Sequence, residues 1–332
     1  MPLSSESAEP LSWSDLASLA MPEPNRIEGP TSAQATLRLF GQPESNVMVT
    51  LYRDHHAWCP YCQKIWLWLE FKRIPYRIRK VTMRCYGPKE PWFLEKVPSG
   101  MLPALELNGR LITESDDILL ALEQQFGPLG MAMTAPEALE LRRLERLLFQ
   151  AWCIWLCSPR LRPRQQVLAR EQFQDIARRF ERELNRDEGP WLRGPEPQTV
   201  DLIFVPYVER MNASLAYYKG YRLRAEHPAI DRWFRALEQL ETYRGTQSDF
   251  HTHAHDLPPQ MGGCWSDDAT EAQRLAKRID RGDGLGDDEA CWIGVNQADQ
   301  ASIALGRVLR HQQRLREVNP MGADAFDRPR NF

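Results

Sequence analysis

The 332-residue chain contains no run approaching the roughly 18 to 20 consecutive apolar residues of a bilayer-crossing helix, which argues against a membrane span. It has no basic excess either: 42 Lys and Arg stand against 45 Asp and Glu, for a net charge of -3. A broad cationic surface for neutralising nucleic-acid phosphates is therefore not expected. No basic residue precedes Arg26, whereas Glu6, Glu9, Asp15 and Glu23 do. That order opposes the charge pattern of a signal or transit peptide, so a cytoplasmic protein is expected. Cysteine is scarce, with seven residues, an odd number in a long chain. A dense disulfide framework is excluded on that count, reduced thiols are the default, and any close pair calls for a chemical explanation. No internal repeat or bulk low-complexity stretch is present, and hydrophobic residues at 42% suffice for a buried core.

Texture and charge divide what is there. Residues 1–45 are rich in Pro, Ser and Glu, with Leu11, Trp13, Leu16 and Leu19 as the apolar cluster of a short docking segment in an otherwise loose arm. Val47–Tyr52 reads as a strand leading into a helix over Pro60–Phe71, and Arg77–Val81 as a second strand. Ala104–Leu107 and Leu111–Thr113 flank Asn108-Gly109, a strong hairpin signal. Ser115 is expected to cap a helix with Asp116 and Asp117 in its first turn. From about residue 137 to 244 the periodicity is helical throughout. The expected class is α/β followed by all-α: an arm at 1–45, a small α/β domain at 46–128, a helical domain at 129–245 and an acidic extension at 246–332 with helices near 270–279 and 289–317. The stretch 46–245 is net positive between two acidic flanks, which favours a small anionic ligand.

The sharpest motif is Trp58-Cys59-Pro60-Tyr61-Cys62, after a strand and opening a helix. Cys-x-x-Cys at a helix N-terminus sets the first thiol against unpaired N–H groups and the positive dipole end, which favours thiolate. Cys59 is the expected nucleophile, and Cys62, one turn on and more buried, is placed to resolve a mixed disulfide. A zinc half-site would need a second Cys-x-x-Cys, and the chain has none. His251-Thr-His253-Ala-His255, beside Pro258-Pro259, reads as a solvated polar loop rather than a metal site, and no metal ligands are assigned. Asp280–Glu289 fails the calcium-loop pattern because glycines fall where oxygen ligands are needed. Trp152, Cys153, Trp155 and Cys157 stand at helical spacing and read mainly as core, while Cys85, Cys264 and Cys291 carry no motif.

Cys59-Pro-Tyr-Cys62, Val97-Pro-Ser-Gly-Met-Leu-Pro103-Ala-Leu-Glu and Glu114-Ser115 together resemble the active site of glutathione transferases with a glutaredoxin-like N-terminal half. The chain is similar to their cysteine-type classes (omega, lambda and dehydroascorbate reductase) and most to the iota class of photosynthetic organisms, which adds a C-terminal extension. The resemblance covers about residues 47–244. It implies a thioredoxin-like domain followed by a helical-bundle domain and, as partners, glutathione as co-substrate with a small-molecule or protein disulfide, in a chain that could form a homodimer. It further implies that Pro60 and Tyr61 flank the thiol site, that Pro103 is a cis-proline and that Leu102 offers its backbone to the cysteinyl part of glutathione. Glu114 and Ser115 would hold the γ-glutamyl group and Lys89 the glycyl carboxylate; the plainer readings are a helix cap for Ser115 and a surface lysine for Lys89. Before the third long helix the family has Ser or Thr three residues ahead of Asp; here Gln198 precedes Asp201, which weakens that capping box. The implied activity is thiol transfer through Cys59. Its rival is a binding module holding glutathione, or a glutathione-coordinated iron–sulfur cluster between two copies, with little turnover.

Overall fold

The computed structural model describes residues 11–21, 24–267, 269–285 and 297–322. Two compact units emerge, one of residues 26–293 and one of 1–25 with 294–332.

In the larger unit the strands are β1 (Leu37–Arg38), β2 (Val49–Asp54), β3 (Tyr76–Val81), β4 (Ala104–Leu107) and β5 (Arg110–Thr113). They form one mixed sheet in the order β1-β3-β2-β4-β5. β2 and β3 are parallel, with Leu51 opposite Ile78, and are joined through helix α2 (Pro60–Phe71); β1, β4 and β5 run antiparallel to their neighbours. Parallel strands need such a crossover, whereas Asn108 and Gly109, at φ +52° and +80°, turn the β4–β5 hairpin in two residues. α3 (Pro91–Lys96) precedes the hairpin, and α4 (Ser115–Phe126) follows it. This is the expected thioredoxin-like arrangement.

A helical layer covers one side: α5 (Pro136–Cys157), α6 (Pro163–Leu184), α7 (Thr199–Lys219), α8 (Leu223–Glu226), α9 (Pro228–Glu238), α10 (Glu241–Thr246), α11 (Phe250–Met261) and α12 (Thr270–Asp280). α2 is wedged between the sheet and this layer, so Cys62 through Glu70 are all buried. α7 is buried almost throughout, and α11 and α12 pack on it. At Gly220, which ends α7 at φ +63°, a Cβ would lie 2.8 Å from the Ala272 backbone nitrogen, so α12 approaches where only glycine fits. In the smaller unit α1 (Trp13–Leu19) packs with α13 (Gln297–Arg310), and α14 (Gln312–Val318) follows.

Several expectations are corrected. β1 lies inside the expected loose arm, because Arg38 carries a buried ion pair: Glu70 accepts from Arg38 Nε at 2.9 Å, Thr31 Oγ1 at 2.8 Å and the Tyr76 hydroxyl at 2.7 Å. The stretch around His251–His255 is helix α11, not a loop, since Asp249 caps it and the two prolines fall in its last turns. Ser115 is the first helical residue of α4, and Glu114 occupies the cap position at φ +65°. Near the end of the stretch read as helical throughout, the chain forms two helices, α9 and α10, divided at Gln239 and Leu240. Cys291 and the start of the 289–317 helix lie outside the described residues.

Candidate active site

Cys59 caps α2 at the C-terminal edge of β2, with Pro60 in the first turn, where its missing N–H costs no helical hydrogen bond. Both thiols are free and buried, Cys59 at 6% exposure and Cys62 at 1%. Cys59 Sγ points at the Leu102 carbonyl, 4.0 Å away, and the Leu102–Pro103 peptide is cis. Burial, and then the neighbouring Cys59, push the Cys62 thiol well above the ordinary thiol range. The outer cysteine is thus the accessible sulfur, and the inner one is kept protonated.

A cavity of about 580 Å³ opens beside the pair. Cys59, Pro60, Tyr61, Lys89 and Leu102 line it on one side, and Trp152, Tyr207, Arg210 and Leu257 on the helical side. Lys89 Nζ donates to the Thr82 carbonyl at 2.8 Å; partial burial lowers its pKa, while the thiols of Cys62 and Cys59 act the other way. A second cavity of about 690 Å³ contains Glu114 and Ser115 together with Lys64, Arg142, Arg143 and Arg146. Tyr61 and Tyr207 line both cavities, with ring centroids 5.6 Å apart. In the second cavity Asp116 binds Lys64 Nζ and Arg142 Nη2, each at 2.6 Å; burial opposes its charge, but these cations hold its pKa down at about 2. The nine residues picked out from the sequence therefore fall on two adjoining cavities, apart from Cys62 behind the first and Pro103, which lines neither.

Sequence reading missed two residues behind the dithiol. Asp54 is fully buried at the end of β2, accepts the Trp58 N–H at 2.7 Å through Oδ2 and leaves Oδ1 without a hydrogen-bond partner. One of its oxygens and both sulfurs lie within 4.8 Å of one another. Arg210, from α7, is 1% exposed, donates to the Trp58 carbonyl and, at 3.0 Å, to Gln63 Oε1, and stands 4.8 Å from the Trp58 ring. The signal for it was Glu209-Arg210 within the apolar run of α7, charges that a buried helix keeps only with partners. Glu209 has those partners in Gln63, Ser248 N and His253, at 2.8 to 2.9 Å. The weakened capping box also resolves: Asp201 still accepts the Gln198 N–H at 3.0 Å, while the Gln198 side chain turns to Met131 N and the Arg193 carbonyl.

Residues 58–125 match the family model described as glutathione S-transferase, N-terminal domain. This segment is similar to the N-terminal domains of glutathione S-transferases. The Arabidopsis thaliana protein named glutathione S-transferase DHAR2 is 25% identical over 190 residues, covering 57% of this chain and 84% of that protein. Among solved structures, Chlamydomonas reinhardtii dehydroascorbate reductase aligns with a TM-score of 0.54 at 19% identity, over 64% of this chain and 97% of that one. The trimeric glutathione transferase TDR1 of Leishmania aligns with a TM-score of 0.53 at 22% identity, over 63% of this chain but only 46% of that one. These structural likenesses establish the transferase fold, a thioredoxin-like sheet with a helical C-terminal part.

Away from the dithiol lies a second group of thiols. A hydrogen bond from Cys264 lowers the Cys157 pKa against the effect of burial, with Lys219 assisting, whereas burial and then Cys157 raise Cys153 to about 12. Trp265 N donates to the Leu156 carbonyl at 2.9 Å, which holds the Cys264 loop on the end of α5. With both residues half-buried, iodoacetamide at pH 8 is expected to alkylate Cys157 at least about tenfold faster than Cys153. Timed alkylation with peptide mapping checks this, and equal rates would remove the basis for the difference.

Proposed function

We propose that this protein is a glutathione-dependent thiol transferase acting through Cys59 on glutathionyl mixed disulfides and on dehydroascorbate. One observation carries the reading: a helix-capping cysteine at the mouth of a cavity, with a protonated second thiol directly behind it. The Cys59 thiolate attacks the glutathionyl sulfur of a mixed disulfide; the substrate's sulfur leaves with the electron pair and takes a proton, and Cys59 becomes glutathionylated. A second glutathione thiolate then attacks that glutathionyl sulfur, releasing glutathione disulfide and restoring the Cys59 thiolate. In the dithiol branch Cys62 attacks the Cys59 sulfur and expels glutathione. The buried Asp54 carboxylate, close to both sulfurs, is the nearby group able to take the Cys62 proton.

Glu114 and Ser115 serve the γ-glutamyl end of glutathione, Leu102 its cysteinyl backbone and Lys89 its glycyl carboxylate. The cations around Glu114 and the Lys89 ammonium at opposite ends suit a peptide with a carboxylate at each end. The matching cysteine-type resemblance and the dehydroascorbate reductase among the structural relatives support the substrate classes. The six described cysteines are all free, which suits a reducing compartment such as the cytoplasm.

Steady-state assays of the purified chain with glutathione and either a glutathionylated peptide or dehydroascorbate test the proposal. Saturable, glutathione-dependent turnover of at least one of the two is expected. Glutathione binding without turnover of either would overturn the transferase reading in favour of a binding module.

A further inference from the structure

The alternating histidines of α11 separate into two roles. A helix turns about 100° per residue, so His251 and His255 share a face while His253 lies across the axis. His253 is 1% exposed and gives Nε2 to Glu209 at 2.9 Å. His251 and His255 stand at the surface with ring centroids 4.3 Å apart. Asp280, the last residue of α12, places Oδ1 2.8 Å from His255 Nε2. One donor atom from each of the three lies within 4.8 Å of the others.

We propose that His251, His255 and Asp280 form a surface site for one divalent cation of the zinc type, bridging α11 to α12. Two imidazoles and one carboxylate are the donor set such an ion prefers, with water in the fourth position. Donors around a tetrahedral ion at bond lengths of about 2.0 to 2.1 Å stand about 3.3 Å apart. His255 Nε2 and Asp280 Oδ1 already stand 2.8 Å apart, and no donor of the three is more than 4.8 Å from another, a span that exposed side chains can adjust to that spacing. The Tyr217 hydroxyl, 3.4 Å from the other Asp280 oxygen, holds the carboxylate from behind as an outer-sphere donor. The bound ion would tie α11, whose Leu257, Gln260 and Met261 line the Cys59 cavity, to its neighbour α12.

The test is calorimetric titration of the full-length chain with zinc chloride, in a Cys59→Ser, Cys62→Ser background that removes the buried Asp54–Cys59–Cys62 donors. One ion per chain is expected, with His251→Ala and Asp280→Asn each weakening binding at least about tenfold and the double His251→Ala, His255→Ala variant abolishing it. Cu²⁺ bound to the same background should give an electron paramagnetic resonance spectrum with two imidazole nitrogens, lost in the double variant. The side chains of His255 and Asp280 are 41% and 45% exposed, so these substitutions leave the fold intact. Absence of binding, or zinc bound with unchanged affinity in the histidine variants, as by the remaining cysteines, would overturn the proposal.

Discussion

Cys59→Ser is expected to lower glutathione-dependent turnover by about a thousandfold or more, whereas Cys62→Ser keeps most of it. The asymmetry follows from position. Cys59 lines the open cavity at the helix start, while Cys62 is 1% exposed and burial holds its thiol protonated. A serine hydroxyl at 59 ionises far above neutral pH and does not exchange with disulfides, so both half-reactions stop. Cys62 enters only when no second glutathione arrives, so its loss suppresses the internal disulfide and leaves the glutathione-driven cycle running. Rates of all three proteins at saturating glutathione decide the point. Equal loss in both variants would mean that the dithiol route is obligatory.

The second large effect is on stability. Glu70→Ala is expected to destabilise the fold by about 4 kcal/mol, because removing one partner of a buried ion pair strands the other charge. Arg38 is 2% exposed, and its remaining polar partners are the backbone carbonyls of Arg26 and Ile27. The Thr31 and Tyr76 hydroxyls lose their acceptor in the same step. Glu70→Gln, which retains an acceptor, should lose distinctly less. Urea unfolding of the full chain measures both, and a loss below about 1 kcal/mol for alanine, the scale of an exposed pair, would show that Arg38 finds another partner.

The same carboxylate shows what the sequence could and could not convey. β2 with α2, the Asn-Gly hairpin and the long helices were legible because each rests on local signals: alternation, a first-turn proline, turn residues with positive φ. The helix α2 was read with its observed limits, Pro60–Phe71. β1 was illegible because two residues of strand carry no pattern; they are held by Arg38 reaching Glu70, 32 residues on. Asp54 and Arg210 were missed for a related reason, since their environment is made by chain segments far apart, as in the bond from Arg210 to the Trp58 carbonyl. The histidines of α11 misled because prolines beside polar residues usually signal a loop. Here the Asp249 cap and the burial of His253 and Leu257 against α7 outweigh the prolines. Of the candidate site, the dithiol and the Leu-Pro turn were readable as motifs; the division of the remaining residues between two cavities meeting at Tyr61 and Tyr207 is a tertiary fact.

The central claim is that Cys59 carries a glutathionyl group during turnover. Intact-protein and peptide mass spectrometry of the Cys62→Ser chain, quenched with acid shortly after mixing with glutathione disulfide, tests it directly. A single glutathionyl adduct on the peptide containing Cys59, removed by added glutathione, is the predicted result. An unmodified Cys59, with the adduct absent or carried only by Cys157 or another outlying cysteine, would contradict the account.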